Sequence, residues 1–369
     1  IALPHTVWDS PKRFHLVEVS IPALEQILNS LEQQDLDFLL LPGDLVQHGE
    51  RDNHKWLVDR LAQLPFPTYV VPGNHDVLMR QGLVLEDHVG RRETISLEEF
   101  TRLYRAHGYG TPGQPYYCHK ILDGVHLIGL NSTGFNDQGE QLYTGWLDPH
   151  QLQWLDTQLA RLTDQCVLVM LHHNALEHLP GQAHSKLGQR YMVKNATALT
   201  DRLKAAGVPL MFTGHIHIQD IAHDGGLTEI TTGSLVSYPH PYRTLEFTTD
   251  AQGQHHLQVE SHRIESVPEF PSLQAMSHQW MGERSFPFMA RLLMDPPLGL
   301  SAAEAQQHAP VLRDFWSAIA AGDAIFDYPE LPENLRQYFH CYSAVDTEGR
   351  PQLIDNAAVL TLGWAPSTT

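Results

Sequence analysis

Four short polar motifs contain the residues of this chain best suited to chemistry. Each follows an apolar run of strand length, and the four are Gly43-Asp44, Gly73-Asn74-His75-Asp76, His172-His173-Asn174 and Gly214-His215-Ile216-His217. Carboxylate, amide and imidazole groups without cysteine are suitable ligands for Mn, Fe, Zn and similar divalent ions. Together the four motifs predict a metal site.

Each motif alone has an ordinary structural interpretation. A Gly-Asp pair after a strand is typical of a turn, and a histidine at a strand end can be buried with backbone partners. The Asn, His and Asp of residues 74–76 are harder to explain without partners, because burying unpaired polar groups costs free energy. His215 and His217 are two residues apart and would face the same side of an extended backbone. The coincidence of all four motifs favours the metal site.

The elements that must position these motifs alternate between helix and strand. Helices are predicted over 20–34, 51–63, 96–106, 149–161 and 197–206. Strands are predicted over 37–41, 68–72, 116–121, 124–130, 166–171, 208–213, 219–223, 227–232, 243–249 and 256–263. This order predicts two sheets packed face to face with helices outside. Because sites in layered α/β folds lie beyond the carboxyl ends of strands, the motifs should converge on one rim.

The order of the motifs resembles the calcineurin-like metallophosphoesterase superfamily over residues 1–250, and most closely its bacterial cyclic-nucleotide phosphodiesterases. The resemblance implies the α/β class with a four-layer β-sandwich flanked by helices. It also implies two divalent metal ions of the Mn, Fe or Zn class and hydrolysis of a phosphate ester. Two such ions about 3.5–4 Å apart stabilise in-line displacement at phosphorus.

The resemblance assigns metal ligands residue by residue. Asp44 would bridge both ions, and His217 would bind the first. The second ion would be bound by Asn74, His172 and His215. The choice of His172 over His173 follows the family's use of the first histidine after the strand.

Residues 75 and 76 would be catalytic by the same resemblance. His75 would face the leaving group, either as a general acid or as a phosphate contact. Asp76 would orient His75 by a hydrogen bond, as carboxylates orient imidazoles in metal sites.

One family element is missing from the sequence. The superfamily opens with a strand ending in Asp-x-His, a pair that binds the first metal, and nothing before Asp44 supplies it. We expect this motif immediately upstream of Ile1. The opening segment would then lie over the metals, where Trp8 could stack on a base or sugar and Lys12 or Arg13 could meet a phosphate. An ordinary solvated loop is the alternative, and its other polar residues are His5, Asp9 and His15.

The sequence changes character after residue 265. Residues 1–265 are predicted to form the catalytic domain, and residues 266–369 a mainly helical extension with helices near 273–282, 301–321 and 333–341. Proline breaks are expected, beginning at Pro287. The extension carries more apolar side chains than a solvated tail should. It is expected to pack beside the metal rim as a lid or a homo-oligomer contact, or to cap an exposed sheet face.

Composition limits the partners and the compartment. The net charge is −19, which disfavours nucleic acid backbones and anionic membranes as partners. No apolar run approaches the about 20 residues that span a bilayer. The three cysteines are widely separated and fit a reducing compartment, which predicts a cytoplasmic protein.

The metal site alone does not select the substrate, because related sites differ mainly in the pocket. A small phosphodiester such as a cyclic nucleotide or glycerophosphodiester is the leading prediction. A phosphomonoesterase or pyrophosphatase is the alternative within the same fold. A non-catalytic binding module is the rival from another class.

Overall fold

The structure is a computed structural model that describes residues 1–6, 14–87 and 90–362. Its α-helices are α1 Ser20–Leu31, α2 Arg51–Leu61, α3 Leu97–Leu103, α4 Pro149–Arg161, α5 Lys186–Gln189, α6 Ala196–Ala205, α7 Leu273–Met294, α8 Ala302–His308, α9 Phe315–Ala321 and α10 Glu333–His340. Its strands are β1 Leu39–Leu41, β2 Thr68–Val70, β3 Val84–Asp87, β4 Gly90–Glu93, β5 Tyr117–Leu122, β6 Val125–Gly129, β7 Cys166–Met170, β8 Leu210–Thr213, β9 Asp220–Asp224, β10 Leu227–Thr231, β11 Pro241–Thr249, β12 His255–Arg263 and β13 Ala357–Leu362. The predicted mixed α/β architecture is confirmed.

The central sheet has six strands in the order β5-β6-β7-β8-β10-β9. Strands β6, β7, β8 and β10 run parallel, whereas β5 and β9 pair antiparallel at the two edges. Every residue of β7 and β8 is buried, as expected for parallel strands covered on both faces. The parallel strands end at a common rim, and the motifs at 172–174 and 214–217 follow β7 and β8 there.

A second layer of strands faces the central sheet. It contains the parallel pair β1-β2 and the antiparallel sheet β11-β12-β13. One apolar cluster joins the two layers through Val70 of β2, Met170 of β7 and Val259 of β12. Alternate residues of β7 point the other way, so Val169 packs with Leu155 of α4 on the opposite face. This arrangement places the motifs that follow β1 and β2 opposite those that follow β7 and β8.

The helical extension packs around its own apolar cluster. That cluster includes Ile216 and Ile218, which flank His217, together with Phe315 of α9 and Phe339 of α10. The extension therefore lies beside the segment that carries two predicted metal ligands, although a lid or an oligomer contact stays a prediction. The division at residue 265 also stays a prediction, and β13 returns to pair with β12.

Several local predictions differ from the structure. Pro287 lies inside α7, which continues to Met294, so the expected break there is wrong. The hairpin β3-β4 and the strand β13 are absent from the sequence-based assignment, since Gly90–Glu93 lacks the apolar alternation of a half-buried strand. Within the described residues, no helix combines the length and apolar character needed to cross a bilayer.

Candidate metal centre

Three predicted ligands converge at the rim of the two sheets. Asp44, His172 and His215 each offer one ligand atom, and these atoms all lie within 4.8 Å of one another. His172 Nε2 lies 3.3 Å from Asp44 Oδ1 and 3.0 Å from His215 Nδ1. The structure thus brings together residues from the ends of three different strands. His173 instead directs its Nδ1 towards the Ser132 hydroxyl at 2.9 Å.

The hydrogen bonds behind these side chains select the nitrogens that face the centre. His172 Nδ1 lies 2.8 Å from the carbonyl oxygen of Pro42, and His215 Nε2 lies 3.2 Å from that of Arg190. A carbonyl only accepts, so each imidazole donates on that side and, when neutral, presents a lone pair on the other. Asn74 Oδ1 lies 3.0 Å from His172 Nε2 and adds a fourth donor atom.

This donor set fits a divalent cation. Two imidazole lone pairs, a carboxylate oxygen and an amide oxygen point at one region, where they would repel each other without a positive charge between them. Metal-bound histidines in proteins usually donate their other ring N–H to a carbonyl or carboxylate, as both histidines do here. The residues present therefore suit a cation of the class predicted from the sequence.

The pKa shifts of the ligand side chains also favour a positive charge at this position. Burial would lower the pKa of His172, but the charge and hydrogen bond of Asp44, together with the Pro42 carbonyl and the charge of Asp76, outweigh burial and raise that pKa. Burial would raise the pKa of Asp44, but the charges of His172 and His75 hold it well below its ordinary range. Both shifts favour a positive charge beside the Asp44 carboxylate, which is the charge that a divalent ion would supply.

The backbone of the site is held in uncommon conformations. Asp44, His215 and His217 have φ of 55°, 65° and 60°, and they are three of the five described non-glycine residues with positive φ. Such conformations cost free energy and are found mostly at functional sites. Gly73 is required because a Cβ there would lie 2.2 Å from the Asp44 amide nitrogen. The two motifs after β1 and β2 are thus in direct backbone contact.

His217 faces a different neighbour from His215. Its Nδ1 lies 3.0 Å from Nε2 of His15, and the two rings are 4.7 Å apart. The two histidines of residues 215–217 are not in extended backbone, so the prediction that their spacing alone aligns them is wrong. The left-handed conformation at both positions directs them instead. Burial lowers the pKa of His217 to about 4 and favours the neutral imidazole that can bind a metal.

The two predicted catalytic residues are held differently from the expectation. His75 Nδ1 lies 2.6 Å from the carbonyl oxygen of Gln47, so this carbonyl orients the ring. Asp76 instead accepts from the amides of Val46 at 3.0 Å and Gly73 at 2.8 Å. The prediction of a hydrogen bond between Asp76 and His75 is therefore wrong. Asp76 thereby joins the loops after β1 and β2.

The opening segment is described only in part. Trp8, Asp9, Lys12 and Arg13 lie outside the described residues. His15 lies at the site, beside His217, whereas His5 pairs with Asp52 at 3.7 Å, where both side chains are largely exposed.

Sequence reasoning missed a buried ionic network beneath the site. His178 Nδ1 lies 2.6 Å from Asp220 and its Nε2 lies 3.1 Å from Glu229. Glu229 also accepts from the amides of Ala175 and Leu176, in the loop that follows His172 and His173. The sequence signal that could have indicated this network is a charged residue, Glu229, within a strand whose residues are all buried. The network anchors this loop to β10.

The His178 network predicts a pH-dependent stability. Burial would lower the pKa of His178, but Glu229 and Asp220 outweigh it and raise that pKa to about 10. A raised histidine pKa stabilises the fold fully below the unfolded value of about 6.5, and this stabilisation is lost as the pH rises towards 10. We expect the free energy of unfolding of the wild type to fall by about 1–3 kcal/mol more than that of His178→Gln between pH 7 and pH 9.

Urea unfolding at the two pH values measures this difference. His150→Gln is the matched control, because His150 is exposed on α4 and should leave the wild-type pH dependence unchanged. An equal fall in the wild type and His178→Gln would contradict the assignment.

Comparison with known proteins agrees with this geometry. Residues 14–219 match the family model described as calcineurin-like phosphoesterase. A "probable cyclic nucleotide phosphodiesterase" of Fibrobacter succinogenes is 28% identical over 192 residues, which are 51% of this chain and 60% of that protein. The chain thus spans less than two thirds of that relative. A "probable glycerophosphodiester phosphodiesterase" of Arcobacter nitrofigilis is 24% identical over 267 residues, 70% of this chain and 78% of that protein.

Solved structures of other proteins also match this chain, with low sequence identity. The phosphopantetheinyl hydrolase of Mycobacterium tuberculosis has a TM-score of 0.38 and 16% identity, covering 60% of this chain and 86% of that one.

Proposed function

Because the chain belongs to the calcineurin-like phosphoesterase family, we propose that it hydrolyses phosphate esters and is a two-metal phosphodiesterase acting on a small substrate. The observation that carries the proposal is the convergence of Asp44, Asn74, His172 and His215, with both histidines oriented from behind by carbonyl groups. The family is generally dependent on divalent metals, and the donor set suits them.

The proposed ligands form two groups around Asp44. His217 would hold the first ion, and Asn74, His172 and His215 would hold the second. When bound there, divalent ions would supply an activated water and stabilise negative charge on the phosphoryl oxygens. The positions of these side chains support the second group directly, because their ligand atoms already converge.

The protein's own residues then orient the substrate and move one proton. Asp44 Oδ1 accepts from the His75 amide at 2.8 Å, which ties this proposed metal ligand to the residue proposed as general acid. With Nδ1 bound to Gln47, His75 presents Nε2 as the nitrogen available to a leaving oxygen. Protonation of that oxygen allows the leaving group to depart as a neutral alcohol instead of an alkoxide.

Relatives support a diester rather than a monoester substrate. The Arcobacter protein is named for glycerophosphodiesters, and the Fibrobacter protein for cyclic nucleotides. We carry both classes over as proposed substrates, with a phosphomonoesterase as the alternative. A cytoplasmic location and a homo-oligomer through the extension stay predictions.

Parallel assays test the proposal. Mn-loaded protein should hydrolyse bis-p-nitrophenyl phosphate at least about tenfold faster than p-nitrophenyl phosphate, which is a difference of about 1.4 kcal/mol between the two barriers. Treatment with EDTA should abolish both activities, and added Mn²⁺ should restore them. A faster monoester reaction would favour the phosphomonoesterase, and no turnover of either ester by the metal-loaded protein would favour the binding module.

A further inference from the structure

An exposed aromatic side chain stands at the rim of the metal centre. Tyr143 lies between β6 and α4 and is 69% exposed. Isolated exposed apolar residues are normal on protein surfaces, so exposure alone says nothing about function. The attachment of its loop to the site is what distinguishes Tyr143.

The loop is fixed to the metal centre on both sides of Tyr143. Two residues before it, Gln141 Nε2 donates to the carbonyl oxygen of Asn74 at 2.7 Å. Two residues after it, Gly145 packs so closely on His173 that a Cβ would lie 2.7 Å from the His173 Cβ. Tyr143 is therefore held between the motif after β2 and the motif after β7.

A cation orients the tyrosine ring. The guanidinium carbon of Arg190 lies 5.7 Å from the ring centroid of Tyr143 and 5.1 Å from that of Tyr191. The Tyr191 ring is 5.1 Å from the His215 ring, and the Arg190 carbonyl accepts from His215. Because a guanidinium near an aromatic face is attractive, Arg190 links the exposed Tyr143 to Tyr191, whose ring packs on the predicted ligand His215.

We infer that Tyr143 is a stacking surface for the planar base of a nucleoside phosphodiester, with Arg190 as its positioning residue. This inference rests on the proposed phosphodiesterase function and selects between its two substrate classes. A base stacked on an aromatic side chain gains about 1–3 kcal/mol, whereas a glycerol group has no π face to stack. The Tyr143 side chain would thus favour nucleotides over glycerophosphodiesters as substrates of the proposed phosphodiesterase.

Two diesters distinguish a base contact from a general effect. For Tyr143→Leu, we expect the KM for 3′,5′-cyclic AMP to rise about tenfold, while the KM for glycerophosphoethanolamine stays within about twofold. Tyr143→Phe retains the ring and should stay within about twofold of the wild type for both substrates. The kcat values should change little, because the reacting atoms are untouched.

Three further variants supply the matched control and test the positioning role of Arg190. Tyr338→Leu removes a tyrosine from α10 in the helical extension and should change neither KM. Arg190→Leu should raise the KM for cyclic AMP selectively, and Arg190→Lys, which keeps a cation over the ring, should recover part of the loss.

The outcomes separate this inference from the function on which it rests. An equal rise of both KM values in Tyr143→Leu, or a wild type that cleaves only glycerophosphoethanolamine, would overturn the stacking role and leave the phosphodiesterase intact. A metal-loaded wild type that cleaves neither diester would overturn the proposed function, and the stacking role with it.

Discussion

Replacement of Asp44 by Asn should remove at least one metal ion and lower kcat/KM at least about a thousandfold. This loss exceeds the about 10–100-fold that is typical when a residue hydrogen-bonded to a metal ligand is removed. Asn is the informative substitution, because Asp44 has a φ of 55° and Asn tolerates this conformation better than Ala. Its amide oxygen can still accept from the His75 amide. The variant therefore loses the negative charge of the bridge with little change in backbone.

Elemental analysis of the purified variant, together with diester kinetics, measures both effects. Asp164→Asn is the matched control, because Asp164 is exposed and lies before β7, at the opposite end of that strand from the site. A soluble Asp44→Asn protein with two metal ions per chain and wild-type activity would rule out the two-metal assignment.

His75→Ala should lower kcat by about 10²–10⁴ for a diester with a poor alkoxide leaving group, the usual range for losing a general acid. The carbonyl of Gln47 at 2.6 Å fixes the ring, so the proton is offered from a defined direction. A p-nitrophenolate leaving group is stable without a proton. The loss should therefore be much smaller with bis-p-nitrophenyl phosphate.

The leaving-group dependence is the decisive readout for His75. His150→Ala, on the exposed face of α4, should behave as the wild type with both substrates. Equal losses with the good and the poor leaving group would show that His75 only contacts the phosphate, which is the alternative role predicted from the sequence.

The sequence by itself determined the family, the mixed α/β class and the identity of the motifs. The signal was local, because an apolar run such as Cys166–Met170 followed at once by His172 marks both a buried strand and a polar group at its end. Parallel strands share a rim, so the chain order of the motifs predicted that they meet. Gly73 is recognised in the sequence as part of its motif. The reason that a glycine is needed there is its close contact with the backbone of Asp44.

Only the tertiary structure decided how each side chain is held. Orientation depends on hydrogen-bond partners far apart in the chain, such as Pro42 for His172 and Gln47 for His75, and no local pattern encodes those pairings. The predicted Asp76–His75 hydrogen bond is wrong for this reason, because the Asp76 carboxylate accepts instead from the backbone amides of Val46 and Gly73 in the two loops. The Glu229 network and the position of Tyr143 likewise arise from loops that meet only when the two sheets and the helices pack together.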